Sequence, residues 1–165
     1  MVRLVEVVTE EQLNQVRRLF KEYTESLGFD LDFQDYEKEL AELPGEYSPP
    51  DGQLLLAIEG KRIIGCVALR KFSDKICEMK RLYVQPEFRG RGIGKCLAEA
   101  IITEARNIGY TSIQLDTVPW MKEAITLYKS LGFKEIPPYR YNPIEGALYL
   151  ELILKEAFTE NLKKK

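Results

Sequence analysis

Residues 89–94 read RGRGIG and combine alternating glycines with positive charge, a pattern suited to binding an anion. The segment follows an apolar run that ends at Val84 and precedes apolar residues at helical spacing, which predicts a turn from a strand into a helix. Backbone N–H groups and the helix dipole converge at such a turn, and glycines let a ligand approach the backbone closely. The sequence therefore predicts a phosphate-binding turn. An ordinary strand-to-helix turn with solvated arginines is the alternative.

The spacing excludes two other phosphate-binding loops. A P-loop requires Gly five residues before the glycine that precedes its lysine, where Arg89 stands, and Ser or Thr after the lysine, where Cys96 stands. The dinucleotide pattern GxGxxG requires a glycine three residues after Gly92, where Lys95 stands. The turn therefore belongs to neither class.

The elements before the turn must position it. Residues 1–8 alternate like a strand, Thr9 begins a helix that Gly28 ends, and residues 33–43 predict a shorter helix. Residues 53–69 predict a hairpin, and residues 75–84 a third strand. In that strand the alternation slips by one residue between Met79 and Leu82, so a β-bulge is expected near Lys80 or Arg81.

The elements after the turn complete one domain. A helix ending at Gly109 and a strand at 112–117 predict, with the strand before the turn, a right-handed βαβ unit with two parallel strands. A helix stopped by Gly132 and closing strands at 133–136 and 147–154 follow, separated by a Pro- and Tyr-rich loop at 137–146. The prediction is an α/β (α+β) domain over residues 1–155 with a charged tail at 156–165.

The turn and its flanks resemble the GNAT (Gcn5-related N-acetyltransferase) superfamily. Residues 89–94 match its signature (Arg/Gln)-x-x-Gly-x-(Gly/Ala), and the segments LYVQP at 82–86 and LYKSLGF at 127–133 match as well. The resemblance covers residues 4–154. It implies a mixed, mostly antiparallel central sheet with helices on both faces, in which the bulge splays the two parallel strands and opens a cleft for a thioester.

The resemblance also implies how acetyl-coenzyme A is bound. In the family the amides of the turn hold the pyrophosphate, and backbone groups of the preceding strand hold the pantetheine arm. Many relatives carry Asn three residues before the Ala of the later helix, whereas here Met121 precedes Ala124, with Trp120 beside it. The expected coenzyme-binding residues are Leu82, Tyr83, Val84, Arg89, Gly90, Arg91, Gly92, Ile93, Gly94 and Lys95.

Acetyl transfer to an alkyl amine requires help with a proton. An ammonium of pKa about 10.4 is about three units too protonated at pH 7, which costs roughly 4 to 5 kcal/mol. Glu78 matches by position the catalytic Glu of several family members and is the candidate base. The alternative is a solvated carboxylate paired with Lys80 or Lys71.

Tyr128 is the candidate general acid. The resemblance places a Tyr at this point of the penultimate helix, within reach of the coenzyme A sulfur. The alternative is a core residue, because Tyr128 shares the apolar stripe of Ile125 and Leu131.

The acceptor side is expected to involve residues of the first helices and of the late loop. Such a cluster could hold an amphipathic amine, and Arg140 could meet a substrate carboxylate. Tyr23 is also a candidate residue on the acceptor side. The predicted acceptor-binding residues are Phe29, Tyr47, Tyr139 and Tyr141.

Composition limits the other function classes. Lys and Arg total 24 against 26 Asp and Glu, so no basic field favours nucleic acid or an anionic membrane. Three cysteines, no His, and no signal pattern or long apolar run predict a cytoplasmic protein without a metal.

We expect acetyl transfer to a primary amine of a small molecule or peptide by direct attack in a ternary complex. The alternative is a non-catalytic acyl-CoA-binding sensor or interaction module. Exposed closing strands are compatible with a homodimer.

Overall fold

Seven strands and four α-helices form the part of the chain that the computed structural model describes, residues 1–28 and 36–154. The strands are β1 (Val2–Glu6), β2 (Gln53–Glu59), β3 (Arg62–Lys71), β4 (Ile76–Val84), β5 (Ser112–Thr117), β6 (Lys134–Glu135) and β7 (Leu148–Ile153). The helices are α1 (Glu10–Leu27), α2 (Tyr36–Glu42), α3 (Ile93–Ile108) and α4 (Lys122–Ser130). These bounds lie within a few residues of those predicted from the sequence. The start predicted for the second helix and the tail at 156–165 lie outside the described residues.

The strands form one sheet in the order β1-β2-β3-β4-β5-β7-β6. Every neighbouring pair is antiparallel except β4 and β5, which are parallel and connected through α3. This topology confirms the predicted mixed, mostly antiparallel sheet with its parallel strand pair. The last strand, β7, is inserted between β5 and β6.

Helices cover both faces of the sheet and produce two hydrophobic cores. On one face Leu54 and Leu56 of β2 pack with Phe20 of α1. On the other face Leu55 packs with Leu97 and Ile101 of α3. Because β2 is covered on both sides, its sequence is a continuous apolar run rather than an alternating one.

Local signals in the sequence fix the ends of α1. The Thr9 side chain accepts a hydrogen bond from Gln12 N at 3.1 Å, and Gln12 Oε1 accepts one from Thr9 N at 3.0 Å. This reciprocal capping box satisfies two N–H groups that have no partner within the helix. Gly28 ends the helix at φ 77°, in the left-handed region that glycine adopts without strain.

The predicted bulge is present in β4, at Arg81. Ala68 of β3 pairs with Lys80 and Cys66 pairs with Tyr83, so β4 contains one residue more than its partner across this interval. Arg81 has φ 60°, which costs a non-glycine residue roughly 1–2 kcal/mol. Its buried guanidinium donates to both oxygens of Glu39 from α2, at 2.9 Å each, and this pair helps to hold the strained residue in place.

Candidate active site

The glycine turn leads from β4 into α3 and leaves several N–H groups without helical partners. Gly90 and Gly92 have φ 81° and 78°, and a Cβ at either position would meet no atom within 4 Å. Glycine is therefore required there by backbone conformation rather than by crowding. Gly92 is the N-cap of α3 and makes no side-chain capping bond, and Cys96 N donates to its carbonyl at 3.1 Å. The N–H groups of residues 93–95 remain available to an anion at the positive end of the helix dipole.

A groove of about 610 Å³ extends from this turn between β4 and the start of α4. Leu82 and Val84 of β4 form part of one wall, residues 120–124 and Leu127 form the opposite wall, and Ser26 and Leu27 lie at the end of α1. All but one of the predicted coenzyme-binding residues line the groove: Leu82, Tyr83, Val84, Arg89, Gly90, Gly92, Ile93, Gly94 and Lys95.

The exception is Arg91, whose side chain is directed elsewhere. Its guanidinium makes a short ion pair with Glu59 at the end of β2 and stacks over the Phe88 ring, 5.7 Å from the centroid. Arg89 also serves the local structure, because its Nε donates to Val84 O at 2.8 Å. Glu59 thus neutralises the charge of Arg91, and a hydrogen bond to the backbone holds the side chain of Arg89. Lys95 remains on the groove.

The strand edge beside the groove has backbone groups directed into it. Gln85 N donates to Ile64 O of β3 at 2.9 Å, so the backbone of Gln85 faces β3. Because successive strand residues direct their N–H and C=O groups to opposite edges, Val84 and Leu82 face away from β3. On that side β5 has separated from β4, since the two strands pair only from Ile76–Glu78 to Ser112–Gln114.

A smaller cavity of about 40 Å³ lies where β4 and β5 diverge. It shares Leu82 and Met121 with the groove, so the two spaces adjoin. Tyr128 of α4 lines it, is 8% exposed and packs against Phe133 at 5.7 Å between ring centroids. Burial, with Tyr23 and Asp116 nearby, raises the pKa of the Tyr128 phenol. Tyr128 is therefore both a core residue and a protonated hydroxyl at the cavity, and its role as general acid stays a prediction.

Glu78 is fully buried and has three partners. Its Oε1 accepts hydrogen bonds from Arg70 Nε at 2.9 Å and Arg140 Nη2 at 2.7 Å, and its Oε2 accepts one from Tyr139 OH at 2.7 Å. Burial alone would raise the pKa of Glu78, but the positive charges of Lys80, Arg70 and Arg140 outweigh burial and lower it.

The alternative of a solvated Glu78 is wrong, because the closed core around this strand leaves the carboxylate no exposed surface. Lys80 acts on Glu78 electrostatically, whereas Lys71 pairs with Asp74 at 3.6 Å instead. The role of Glu78 as general base stays a prediction. A carboxylate with a lowered pKa, already accepting three hydrogen bonds, is better suited to hold the late loop than to accept a proton near pH 7.

The residues predicted for the acceptor side do not form one cluster. Tyr23 lines the small cavity, whereas Tyr47 is buried in the core and packs on Phe20 with ring centroids 6.3 Å apart. The Tyr139 hydroxyl donates a hydrogen bond to Glu78, and Tyr141 is 75% exposed. Phe29 lies outside the described residues. Contact of Phe29, Tyr47, Tyr139 and Tyr141 with an acceptor stays a prediction.

The sequence of this chain matches a known protein family. The model of the acetyltransferase (GNAT) family matches residues 13–133, which is more than half of the chain. The chain belongs to the GNAT family. It is therefore an acyltransferase, as the sequence predicted, and membership favours an enzyme over a non-catalytic binding module.

Individual GNAT proteins agree with this assignment. An uncharacterized N-acetyltransferase of Schizosaccharomyces pombe is 42% identical over 144 residues, which cover 86% of this chain and 88% of the relative. A GNAT acetyltransferase structure from Staphylococcus aureus Mu50 has a TM-score of 0.78 at 21% identity, covering 94% of this chain and 100% of that one. The structure of YncA from Salmonella typhimurium, solved with acetyl-CoA, has a TM-score of 0.66 at 18% identity, covering 94% of this chain and 95% of that one. These structural likenesses confirm the fold.

Several residues on this GNAT site were not predicted from the sequence. Lys80 and Asp116 line the small cavity, and Trp120, Lys122 and Leu127 line the groove. Asp116 lies two residues after Gln114, the register partner of Glu78, so its side chain is on the same face of the sheet as Glu78. The alternation of side chains along the predicted strand at 112–117 was the sequence signal that could have indicated this.

No helix in residues 1–28 and 36–154 is long and apolar enough to cross a membrane. Within the same ranges, no three Cys, Asp or Glu residues come together as a metal-binding group.

Trp120 should report directly on the groove, because it is the only tryptophan of the chain and is 51% exposed at the groove wall. Titration with acetyl-CoA, excited at 295 nm, is expected to change its emission and saturate. Covering the half-exposed indole should contribute about 1 kcal/mol, so Trp120→Ala is expected to weaken binding about fivefold to tenfold by calorimetry. Trp120→Phe, which keeps an aromatic ring, should weaken it less. Equal affinities for all three proteins would place Trp120 outside the binding site.

Proposed function

We propose that this protein transfers the acetyl group of acetyl-CoA to a primary amine of a small molecule or peptide, by direct attack in a ternary complex. The observation that carries the proposal is the continuity of two spaces. The groove at the glycine turn adjoins the cavity between the diverging strands through Leu82 and Met121. A ligand anchored at the turn and extended along the groove would reach the cavity that Tyr128 lines.

The groove fits acetyl-CoA along its length. The N–H groups of residues 93–95 suit the pyrophosphate, and Lys95 and Lys122 add positive charge on the groove. Leu82, Val84 and Leu127 supply apolar surface for the pantetheine arm, and the cleft-facing backbone of β4 supplies hydrogen-bonding groups. Acetyl-CoA supplies the thioester whose carbonyl carbon the amine attacks.

Two groups of the chain support the transfer. The backbone N–H of Leu82 faces the cleft and can donate to the carbonyl oxygen as negative charge develops there. The Tyr128 hydroxyl, kept protonated by its raised pKa, can donate a proton to the departing sulfur. The raised pKa makes the phenol a weak acid, so we expect its contribution to lie near the lower end of the usual range for proton transfer.

Tyr128→Phe is expected to lower kcat about 100-fold and to leave the affinity for acetyl-CoA within about twofold. The change removes only the hydroxyl and keeps the ring packed on Phe133. Tyr110→Phe is a matched control, because the Tyr110 hydroxyl donates to Asp51 O at 2.7 Å and does not line the cavity. Equal turnover by the two variants and the wild type would remove Tyr128 from the mechanism.

The acceptor can be found by a thiol-release assay. Acetyl-CoA is supplied with separate pools of amino acids, polyamines and peptides with unblocked N-termini, and free coenzyme A is measured with a thiol reagent. We expect release to depend on one pool and mass spectrometry to detect an acetylated amine in it. Saturable binding of acetyl-CoA with no release from any pool would contradict the proposal.

A further inference from the structure

Lys80 carries a primary amine and lines the cavity where the thioester is expected to arrive. It precedes the bulge residue of β4, is 6% exposed, and lines the small cavity together with Leu82 and Tyr128. The bulge ends the regular pairing of β4 and β3 directly after Lys80. Lys80 thus lies where β4 leaves its regular ladder, two residues before the backbone N–H that faces the acetyl carbonyl in the proposed function.

Charged groups from neighbouring elements surround this amine. Lys80 occupies the alternate strand position two residues from Glu78, and Asp116 of β5 lies across the cavity. Lys80 is one of the charges that lower the pKa of Glu39 on α2. Within residues 1–28 and 36–154, the titratable and charged groups near Lys80 include Glu78 and Arg81 of β4, Arg70 of β3, Asp116 of β5, Glu39 of α2, Tyr23 of α1 and Tyr128 of α4.

Burial, followed by the neighbouring positive charge of Arg81, lowers the pKa of Lys80 to about 7, although Glu78 and Asp116 oppose the change. Near pH 7 the neutral amine is therefore a substantial fraction of the Lys80 side chains. An ordinary lysine of pKa about 10.4 is neutral in roughly 0.04% of molecules at this pH. Only the neutral amine has the lone pair that attacks a carbonyl.

We propose that Lys80 is an internal acetyl acceptor, which takes the acetyl group of bound acetyl-CoA when no external amine is present. The lone pair of Nζ forms a bond to the carbonyl carbon, and the bond from that carbon to sulfur breaks. The nitrogen loses one proton and the departing thiolate takes it up, so the products are Nε-acetyl-lysine at position 80 and coenzyme A. The proposal rests on the proposed function, because it needs the thioester at the same cavity.

Acetylation of Lys80 would change the site in two ways. The amide carries no positive charge, so one of the groups that hold Glu78 ionised is lost. The added acetyl group also occupies a cavity of only about 40 Å³. Acetylated protein should therefore be inactive toward external amines, and a good acceptor should protect Lys80 by competing for the acetyl group.

The test uses the wild-type chain with acetyl-CoA and no added amine. Binding is followed by Trp120 fluorescence, and the modification is read by mass spectrometry after digestion with a protease that cleaves at acidic residues. We expect acetylation at Lys80 at least tenfold faster than at the exposed Lys71, suppressed by excess coenzyme A. The rate should rise from pH 6 to a plateau above pH 8. Acetyl phosphate, which lacks the coenzyme part, should not label Lys80 preferentially.

The outcomes separate this proposal from the one on which it rests. Saturable binding of acetyl-CoA with unmodified Lys80 would overturn the internal acceptor and leave the proposed function intact. Failure to bind acetyl-CoA would overturn both. Preferential labelling of Lys80 by acetyl phosphate would mean a generally reactive lysine, and would also overturn the proposal. Lys80→Arg, which has no neutral amine at pH 7, should bind acetyl-CoA without this modification.

Discussion

Glu78→Gln is expected to lower the free energy of unfolding by about 3–5 kcal/mol, because it removes one partner of a buried ionic cluster. The carboxylate is fully buried and accepts hydrogen bonds from Arg70, Arg140 and Tyr139. A neutral amide cannot compensate the two guanidinium charges, and its NH2 group would face donors. Urea unfolding at pH 7, followed by circular dichroism, measures the loss.

Glu46→Gln provides the matched control. Glu46 also pairs with Arg70, at 2.7 Å, but its side chain is 72% exposed, so water already screens the pair. We expect this variant to lose less than about 1 kcal/mol. Equal effects of the two variants would contradict the account of Glu78 as the centre of a buried cluster.

The pH dependence of unfolding gives a second check. The folded pKa of Glu78 is lowered, so its ionisation stabilises the fold fully above the unfolded pKa of about 4.3. This stabilisation is lost as the pH falls through the folded pKa. The difference between wild type and Glu78→Gln should therefore shrink on acidification, as the pH falls through the lowered folded pKa of Glu78.

Kinetics with the acceptor separate the two roles of Glu78. If it is the general base, Glu78→Gln should lower kcat chiefly at acidic pH. If it holds the late loop through Tyr139 and Arg140, the shape of the pH profile should be unchanged and KM for the acceptor should rise. An unchanged profile would remove Glu78 from the list of proton acceptors.

Gly92→Val is expected to weaken acetyl-CoA binding about 100-fold or more. Gly92 has φ 78°, which a β-branched residue strongly disfavours, so the turn should adopt another conformation and redirect the N–H groups of residues 93–95. Each hydrogen bond to a charged group contributes about 1.5–3 kcal/mol, and a loss of about 3 kcal/mol corresponds to roughly 100-fold in affinity. Isothermal titration calorimetry measures the change.

Gly60→Val controls for the backbone effect alone. Gly60 lies in the turn between β2 and β3 at φ 62°, and, as at Gly92, a Cβ there would meet no atom within 4 Å. It should therefore reduce stability to a similar extent and leave the affinity for acetyl-CoA unchanged. If Gly92→Val bound acetyl-CoA as tightly as Gly60→Val, the turn would not be the pyrophosphate site.

The predictable parts of this protein depend on signals between residues close in sequence. The capping box at Thr9, the glycine turn and the helix ends each depend on a few consecutive residues. The bulge was also predictable, because one extra residue in β4 shifts the alternation of apolar side chains on the same strand.

The parts that escaped prediction depend on contacts between distant residues. The partners of Glu78 include Arg140, 62 positions away, and nothing local in either segment indicates the pair. Insertion of β7 between β5 and β6 likewise follows from how the sheet closes. The alternative of a solvated Glu78 failed for the same reason, since burial at this strand depends on elements far along the chain.

The three-residue pairing of β4 with β5 gives this sheet an edge in its interior. Beyond Glu78, no strand within residues 1–28 and 36–154 pairs with β4 on one side, so its backbone presents the kind of edge that binds extended peptides or other strands. The amide groups of a pantetheine arm can pair with this edge as a missing strand would. Acetyl-CoA would then complete the sheet as well as supply the acetyl group, and ligand binding should stabilise the fold.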